Sequence, residues 1–127
     1  MDKPVVVRRS DLETPATEQS AGMQRGQAFA HPGVWAGHAA FPGGASTGWH
    51  HHGDYATYAY INDGAMTVEY GPDGRESAEV SAGDFAYIPA RFVHRETVSA
   101  KGCSGVIVRV GGEGPAVFNV EGPDAAG

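Results

Sequence analysis

The sequence predicts an all-β fold, and three observations predict it. Gly and Pro are abundant, 19 and 8 of 127 residues. They recur so evenly that the longest stretch free of both is residues 90–101, short and rich in β-branched residues, which does not favour a long helix. Apolar and aromatic residues recur between the breakers throughout, unlike low-complexity disorder. Turn signals arrive about every ten residues, the spacing of a sandwich or barrel with roughly nine or ten strands and little or no helix. A helical bundle, a doubly wound α/β fold and a coiled coil are disfavoured together.

Taken in order, residues 5–9 read as an edge strand and residues 11–24 as a polar loop or arm. Val34–Phe41 is a strand closed by Pro42-Gly43-Gly44. Residues 49–52 and 56–61 follow, then Asn62-Asp63-Gly64, whose Asp-Gly between apolar runs signals a hairpin. Residues 65–70 alternate, with Met66, Val68 and Tyr70 on one face and Thr67 and Glu69 on the other. Further strands are read at residues 76–80, 85–88, 93–98, 103–110 and 116–120, with a turn around Ala100-Lys101-Gly102 and a frayed tail at 122–127. One domain spans 1–127: strand and arm over 1–33, the barrel over 34–110, and a last strand and tail over 111–127.

Charge and cysteine bound the setting. Nine Lys and Arg against 15 Asp and Glu give a formal net charge of −6, and no segment concentrates the basic residues. Nucleic acid and anionic membrane are therefore unexpected partners. Cys103 is the lone cysteine, which excludes an intrachain disulfide framework and a cysteine zinc ribbon. With no signal-peptide or membrane-spanning pattern, a cytoplasmic location is expected by elimination.

Three of the six histidines are consecutive, His50-His51-His52. On a strand, His50 and His52 share a face and His51 points away, so two imidazoles can take adjacent corners of a metal's coordination sphere. A solvated polar strand gives the same letters. His94 adds a third imidazole, delivered by the turn, strand and Pro-led bend that run from Gly83 through Pro89.

With these residues in place the chain resembles the cupin superfamily, in particular the small single-domain cupins, over roughly residues 34–110. Gly44, His50, His52 and Gly64 fit the family's first motif, but its Glu is absent and Thr57, or Ala56 under a shorter gap, holds the place. Gly83, Pro89 and His94 fit the second, with Arg91 in place of Gly and Val98 in place of Asn. The resemblance implies a small jelly-roll β-barrel (double-stranded β-helix) holding one divalent metal ion on His50, His52 and His94. Iron is favoured, with zinc, manganese, nickel or copper as the other choices, and a homodimer is implied. At Arg91, a requirement for positive φ would strain the arginine.

Three neutral imidazoles leave a dication's charge uncompensated, so an anionic or metal-chelating small-molecule substrate is expected. Glu96 either shares the inward face of His94, as general base or displaced fourth ligand, or pairs at the surface with Arg95 or Arg91. His38 either lines the cavity as a fourth imidazole or proton shuttle, or packs in the barrel wall. Arg109 is an anion clamp if it points inward, and a solubilising charge on the outward face that is the safer expectation. His31 reads as a loop residue and Cys103 as a quiet buried thiol. Tyr55, Tyr58, Tyr60, Phe85, Tyr87 and Phe92 flank the motifs, mostly as core packing around an apolar pocket.

Three functions follow. The favoured one is a dioxygenase-type oxidoreductase, since the resemblance extends to thiol and β-diketone-cleaving dioxygenases. The alternative is a non-redox, metal-dependent cyclase, isomerase or lyase, similar to polyketide cyclases and hydroxynitrile lyases. A non-catalytic metabolite-binding barrel is the third.

Overall fold

A computed structural model describes residues 3–12 and 24–125. Most of the expected arm, residues 13–23, lies outside the described residues. Eight strands follow one another: β1 (Gln24–His31), β2 (Val34–Phe41), β3 (His50–His51), β4 (Ala56–Tyr70), β5 (Glu76–Ser81), β6 (Phe85–Ile88), β7 (Arg95–Val110) and β8 (Phe118–Asn119). The main sheet runs β1-β2-β7-β4-β5 with β6 also on β4, and β3 pairs β8 in a second sheet. All these pairings are antiparallel. The all-β expectation holds: among the described residues, helical structure is limited to two 3-10 turns, Arg9–Asp11 and Pro72–Gly74. No described helix is long and apolar enough to cross a membrane.

The strand count differs from the expected nine or ten for identifiable reasons. Residues 5–9 form no strand and run into the first 3-10 turn. Asn62-Asp63-Gly64 is not a hairpin: β4 continues through it, with register shifts against β7 between Ile61 and Asp63 and between Gly64 and Met66. A left-handed glycine serves a bulge as well as a tight turn, and Gly64 has φ +80°. A Cβ there would collide with the Gly102 carbonyl oxygen, so the two long strands cross at a point that only glycine allows. β7 likewise runs unbroken through Lys101-Gly102. β1, unanticipated over residues 25–31, adds a strand paired to β2 and ends at His31, which is therefore a strand residue rather than a loop residue.

The bends let β4 carry two partners along its length, β6 beside residues 57–60 and β5 beside residues 65–70. The inner face of the sheet closes on a core of Ala39, Phe41, Ile61, Met66, Val80, Val98 and Cys103. Val98, where the family pattern has Asn, belongs to that core, and Cys103 is buried as expected. The outer face is unusual: Tyr58, Tyr60, Phe85 and Tyr87 lie there, with Phe85 81% exposed. The sequence expectation places these four rings mainly in the core or around the pocket. Instead they pair across β4 and β6 on the solvent side, while aliphatic side chains fill the interior.

Candidate metal centre

His50 and His94 face each other across an isolated antiparallel bridge, exchanging backbone hydrogen bonds of 3.0 and 2.9 Å. The bridge is the end of a longer pairing in which Thr47 donates its N–H to the Glu96 carbonyl and Gly44 to that of Ser99. The two motifs are thus aligned by backbone. His52, two residues beyond His50, takes the same face. The three ring centroids are 4.4 to 5.1 Å apart.

Each of the three imidazoles spends its Nδ1 on a backbone carbonyl: His50 on Gly48 (2.9 Å), His94 on Phe92 (2.8 Å) and His52 on Ala116 (2.7 Å). A carbonyl only accepts, so each Nδ1 carries the proton and each neutral ring presents its Nε2 lone pair. The Nε2 atoms of His50 and His94 are buried without a hydrogen-bond partner. Their neighbours are the two Glu96 oxygens, at 3.4 and 3.2 Å respectively. Ligand atoms from His50, His52, His94 and Glu96 all lie within 4.8 Å of one another.

Glu96 therefore comes to the inward face. Neither Arg95 nor Arg91 takes it: Arg95 binds Glu69 and Arg91 binds Asp54, each at 2.8 Å. Thr47, which the sequence did not mark, fixes the carboxylate. Its hydroxyl accepts the Glu96 N–H at 2.9 Å and lies 3.0 Å from Glu96 Oε2. Burial alone would raise the Glu96 pKa, but the adjoining imidazoles, His94 first and then His50 and His52, hold it well below the usual carboxylate range. For His94, burial pulls the other way and the Glu96 carboxylate outweighs it, raising the imidazole pKa. Burial lowers His50, and lowers His52 further with the help of Arg109.

The donor set suits a divalent ion: three neutral imidazoles in a fixed tautomer and one ionised carboxylate, with two imidazole nitrogens otherwise unsatisfied. Thr57 occupies the expected motif position but Glu96, from the neighbouring strand, brings the carboxylate. Thr57 is 5% exposed, and its hydroxyl is buried without a hydrogen-bond partner.

The centre opens on a cavity of ≈ 60 Å³ lined by His52, Glu96, Thr57 and mostly aliphatic side chains. Two lining residues change the expected picture. Arg109, expected outside, is 3% exposed and lies over the Trp35 ring at 5.4 Å from its centroid. Its strand alternates Cys103, Gly105, Ile107 and Arg109 inward, and since Val106, Val108 and Val110 are equally apolar, hydrophobicity alone did not identify the inner face. Arg25, also 3% exposed, reaches the cavity from β1, where polar neighbours give no strand signal.

His38 is not brought to this group. It alternates with Ala39 and Phe41, whose side chains line the cavity, and so takes the opposite face of β2, away from the position a fourth imidazole requires. His51 turns from the centre as alternation predicts, stacking on Phe118 with centroids 5.0 Å apart. Arg91 has φ +60°, the left-handed conformation anticipated from its place in the motif.

Comparison with known proteins places these features. The family description Cupin domain matches residues 37–102, just over half of the chain. No curated protein matches it significantly. Among solved structures, the chain is similar to the polyketide cyclase RemF from Streptomyces resistomycificus at TM-score 0.74 and 21% identity, covering 94% of this chain and 87% of that one. KdgF from Halomonas sp. gives 0.70 and 21%, covering 87% and 96%. Oxalate decarboxylase from Bacillus subtilis gives 0.70 and 20%, covering 94% of this chain and 34% of the other. At such identities the likeness establishes the fold.

Proposed function

The chain belongs to the cupin domain family, and we propose that it is a metal-dependent enzyme that works by Lewis-acid chemistry, without redox change, on a small anionic or enolisable substrate. The observation that carries this reading is the convergence of His50, His52, His94 and Glu96 beside a narrow, largely aliphatic cavity. The three Nε2 atoms and the Glu96 carboxylate would hold one ion, such as zinc, nickel or manganese, which when bound polarises a substrate oxygen.

The rest of the work belongs to the chain. The carbonyls of Gly48, Phe92 and Ala116 orient the imidazoles, and Thr47 orients Glu96. The aliphatic walls exclude water, which strengthens every charge interaction inside. Glu96 acts as a ligand rather than a general base, because its two oxygens are turned toward the imidazoles of His94 and His50. The names of two neighbours, a polyketide cyclase and an oxalate decarboxylase, fit carbonyl and carboxylate chemistry.

Dioxygenase chemistry on iron or copper is the second reading. Its support is an uncompensated three-imidazole charge, and Glu96 supplies that compensation. Metal analysis of protein purified without chelators, then oxygen uptake with diketones, thiols and phenolic acids, separates the readings. Stoichiometric zinc, nickel or manganese without oxygen uptake supports the Lewis-acid reading; iron with substrate-dependent uptake replaces it by the dioxygenase. Absence of any metal, with ligand affinity unchanged in His94→Ala, would leave a binding barrel.

The partner we assign besides the substrate is a second copy of the chain. The solvent-facing patch of Tyr58, Tyr60, Phe85, Tyr87 and Val106 carries no charge, whereas the chain as a whole has a net charge of −6. A reducing cytoplasmic setting fits the lone buried thiol of Cys103.

A further inference from the structure

The cavity at the metal centre shares walls with a larger space, and the strand register shows how the two join. A groove of ≈ 400 Å³ lies along β5 and β6, and Val68, Val80, Ala86 and Ile88 line both it and the cavity that holds His52, Glu96 and Thr57. Residues directly opposite in a sheet share a face. On one wall Glu96 stands opposite Val68, and Val68 opposite Ala78. On the other, Thr57 stands opposite Ile88. The first row thus leads from the carboxylate of the centre out to the groove, and the second leads there from the Thr57 hydroxyl. That hydroxyl is buried without a hydrogen-bond partner. Further out the groove is apolar: Tyr70 and Phe92 meet with ring centroids 5.4 Å apart, and among the described lining residues Glu79 alone is charged. Among the described residues β5 and β6 pair only with β4, so no strand closes this edge.

We propose that this groove seats the apolar, ring-bearing body of the substrate, whose oxygenated end passes between Val68 and Ile88 to Thr57 and the metal centre. This deepens the metal-dependent reading above and rests on it for the oxygenated end, but not for the apolar seat. Small-molecule sites combine mostly apolar walls with a few convergent polar groups, and the groove and the centre divide those two roles between them. Ring carbons entering the groove leave water without losing a hydrogen bond, whereas a charged body would be desolvated against apolar walls. Tyr70 and Phe92 offer aromatic contact at its outer end. At its inner end the preference reverses, because a substrate oxygen beside Thr57 gives the buried hydroxyl the partner it lacks. The class is therefore a planar, ring-bearing compound with its oxygens gathered at one end, rather than a short aliphatic acid.

Calorimetric titration of the full chain tests this with 3-hydroxy-2-naphthoate, a hydroxy acid on fused rings, set against lactate, a hydroxy acid without rings. Each probe is titrated into metal-depleted and into zinc-loaded protein. The naphthoate is expected to bind zinc-loaded protein about tenfold or more tightly than lactate. Ala78→Trp fills the groove from an exposed position on β5, and should weaken the naphthoate about tenfold or more while leaving zinc affinity within about threefold. Thr57→Val, which keeps the shape and removes the hydroxyl, should weaken the naphthoate a few-fold. Near-ultraviolet circular dichroism reports folding, and Ile88→Trp carries the test if Ala78→Trp does not fold. Naphthoate bound no more tightly than lactate, or bound equally well by the tryptophan variants, would overturn the seat. Unchanged affinity in Thr57→Val would overturn the placement of the oxygenated end. Failure of zinc to bind, with naphthoate binding still lost when the groove is filled, would overturn the metal-dependent reading and leave the apolar seat standing.

Discussion

Replacing Glu96 by Gln keeps the side chain's shape and removes its charge at the centre. Because the carboxyl is held well below its usual range, it is ionised throughout neutral pH, and the substitution removes a full negative charge. Its oxygens lie 3.2 and 3.4 Å from the Nε2 atoms of His94 and His50, so a cation held by those nitrogens is also close to the carboxylate. Two unit charges about 4 Å apart attract by roughly 4 kcal/mol at an effective dielectric of about 20. Desolvation takes back part of this, leaving about 2–3 kcal/mol, or a Kd roughly 30- to 150-fold weaker. Thr47→Ala leaves the charge but removes the hydroxyl that holds it, and should weaken binding about tenfold. The assay is competition for zinc against a coloured chelator near neutral pH. If Glu96→Gln binds zinc within about threefold of the parent, the carboxylate is not a ligand and the four-donor centre is wrong.

Three other outcomes follow from the fold. Gly64→Ala should cost roughly 2–4 kcal/mol in urea unfolding, since it adds a backbone collision to a left-handed φ, whereas Gly44→Ala, with φ +75° and open space, should cost only about 1 kcal/mol. Equal losses would refute the crossing-point explanation of the bulge. At Glu69, the hydrogen bond from Arg95, then that from Thr97, lowers the carboxyl pKa. A lowered folded value means the stabilisation is present above the unfolded pKa of about 4.3 and disappears as pH falls through the folded value. Glu69→Gln should therefore lose up to about 1 kcal/mol at neutral pH, and the gap from the parent should close on acidification; a constant gap would contradict the pairing. Phe85→Lys, on the uncharged outer face, should convert a dimer to a monomer in sedimentation without loss of stability, and a parent already monomeric would remove the second-copy partner.

Much of the centre is legible in the sequence, because its logic is local. Two histidines at alternate positions and a third after a Pro-led bend are spacing rules, and Glu96 follows His94 by the same alternation. What escapes is the choice between equivalent faces. Residues 103–110 are apolar on both sides, so the pattern assigns Arg109 to the wrong one; Tyr58, Tyr60 and Tyr87 alternate just as well outward as inward. Fused strands escape for a related reason, since the Asp63-Gly64 pair that signals a hairpin also suits a bulge. Arg25 carries no signal, because its strand is defined by pairing with β2 rather than by its own pattern.

The imidazoles of the centre are held by carbonyls, and carbonyls are supplied by every residue type. Substitution at Gly48, Phe92 or Ala116 leaves the accepting oxygen in place, so the histidine tautomers tolerate drift in the side chains around them. They do not tolerate a change of length. One residue inserted between Gly48 and His50, or between Phe92 and His94, would shift the acceptor out of register with its ring and reverse the face of the bridge. Loss of this site by mutation should therefore come through insertions and deletions in these two segments more readily than through point changes next to the ligands.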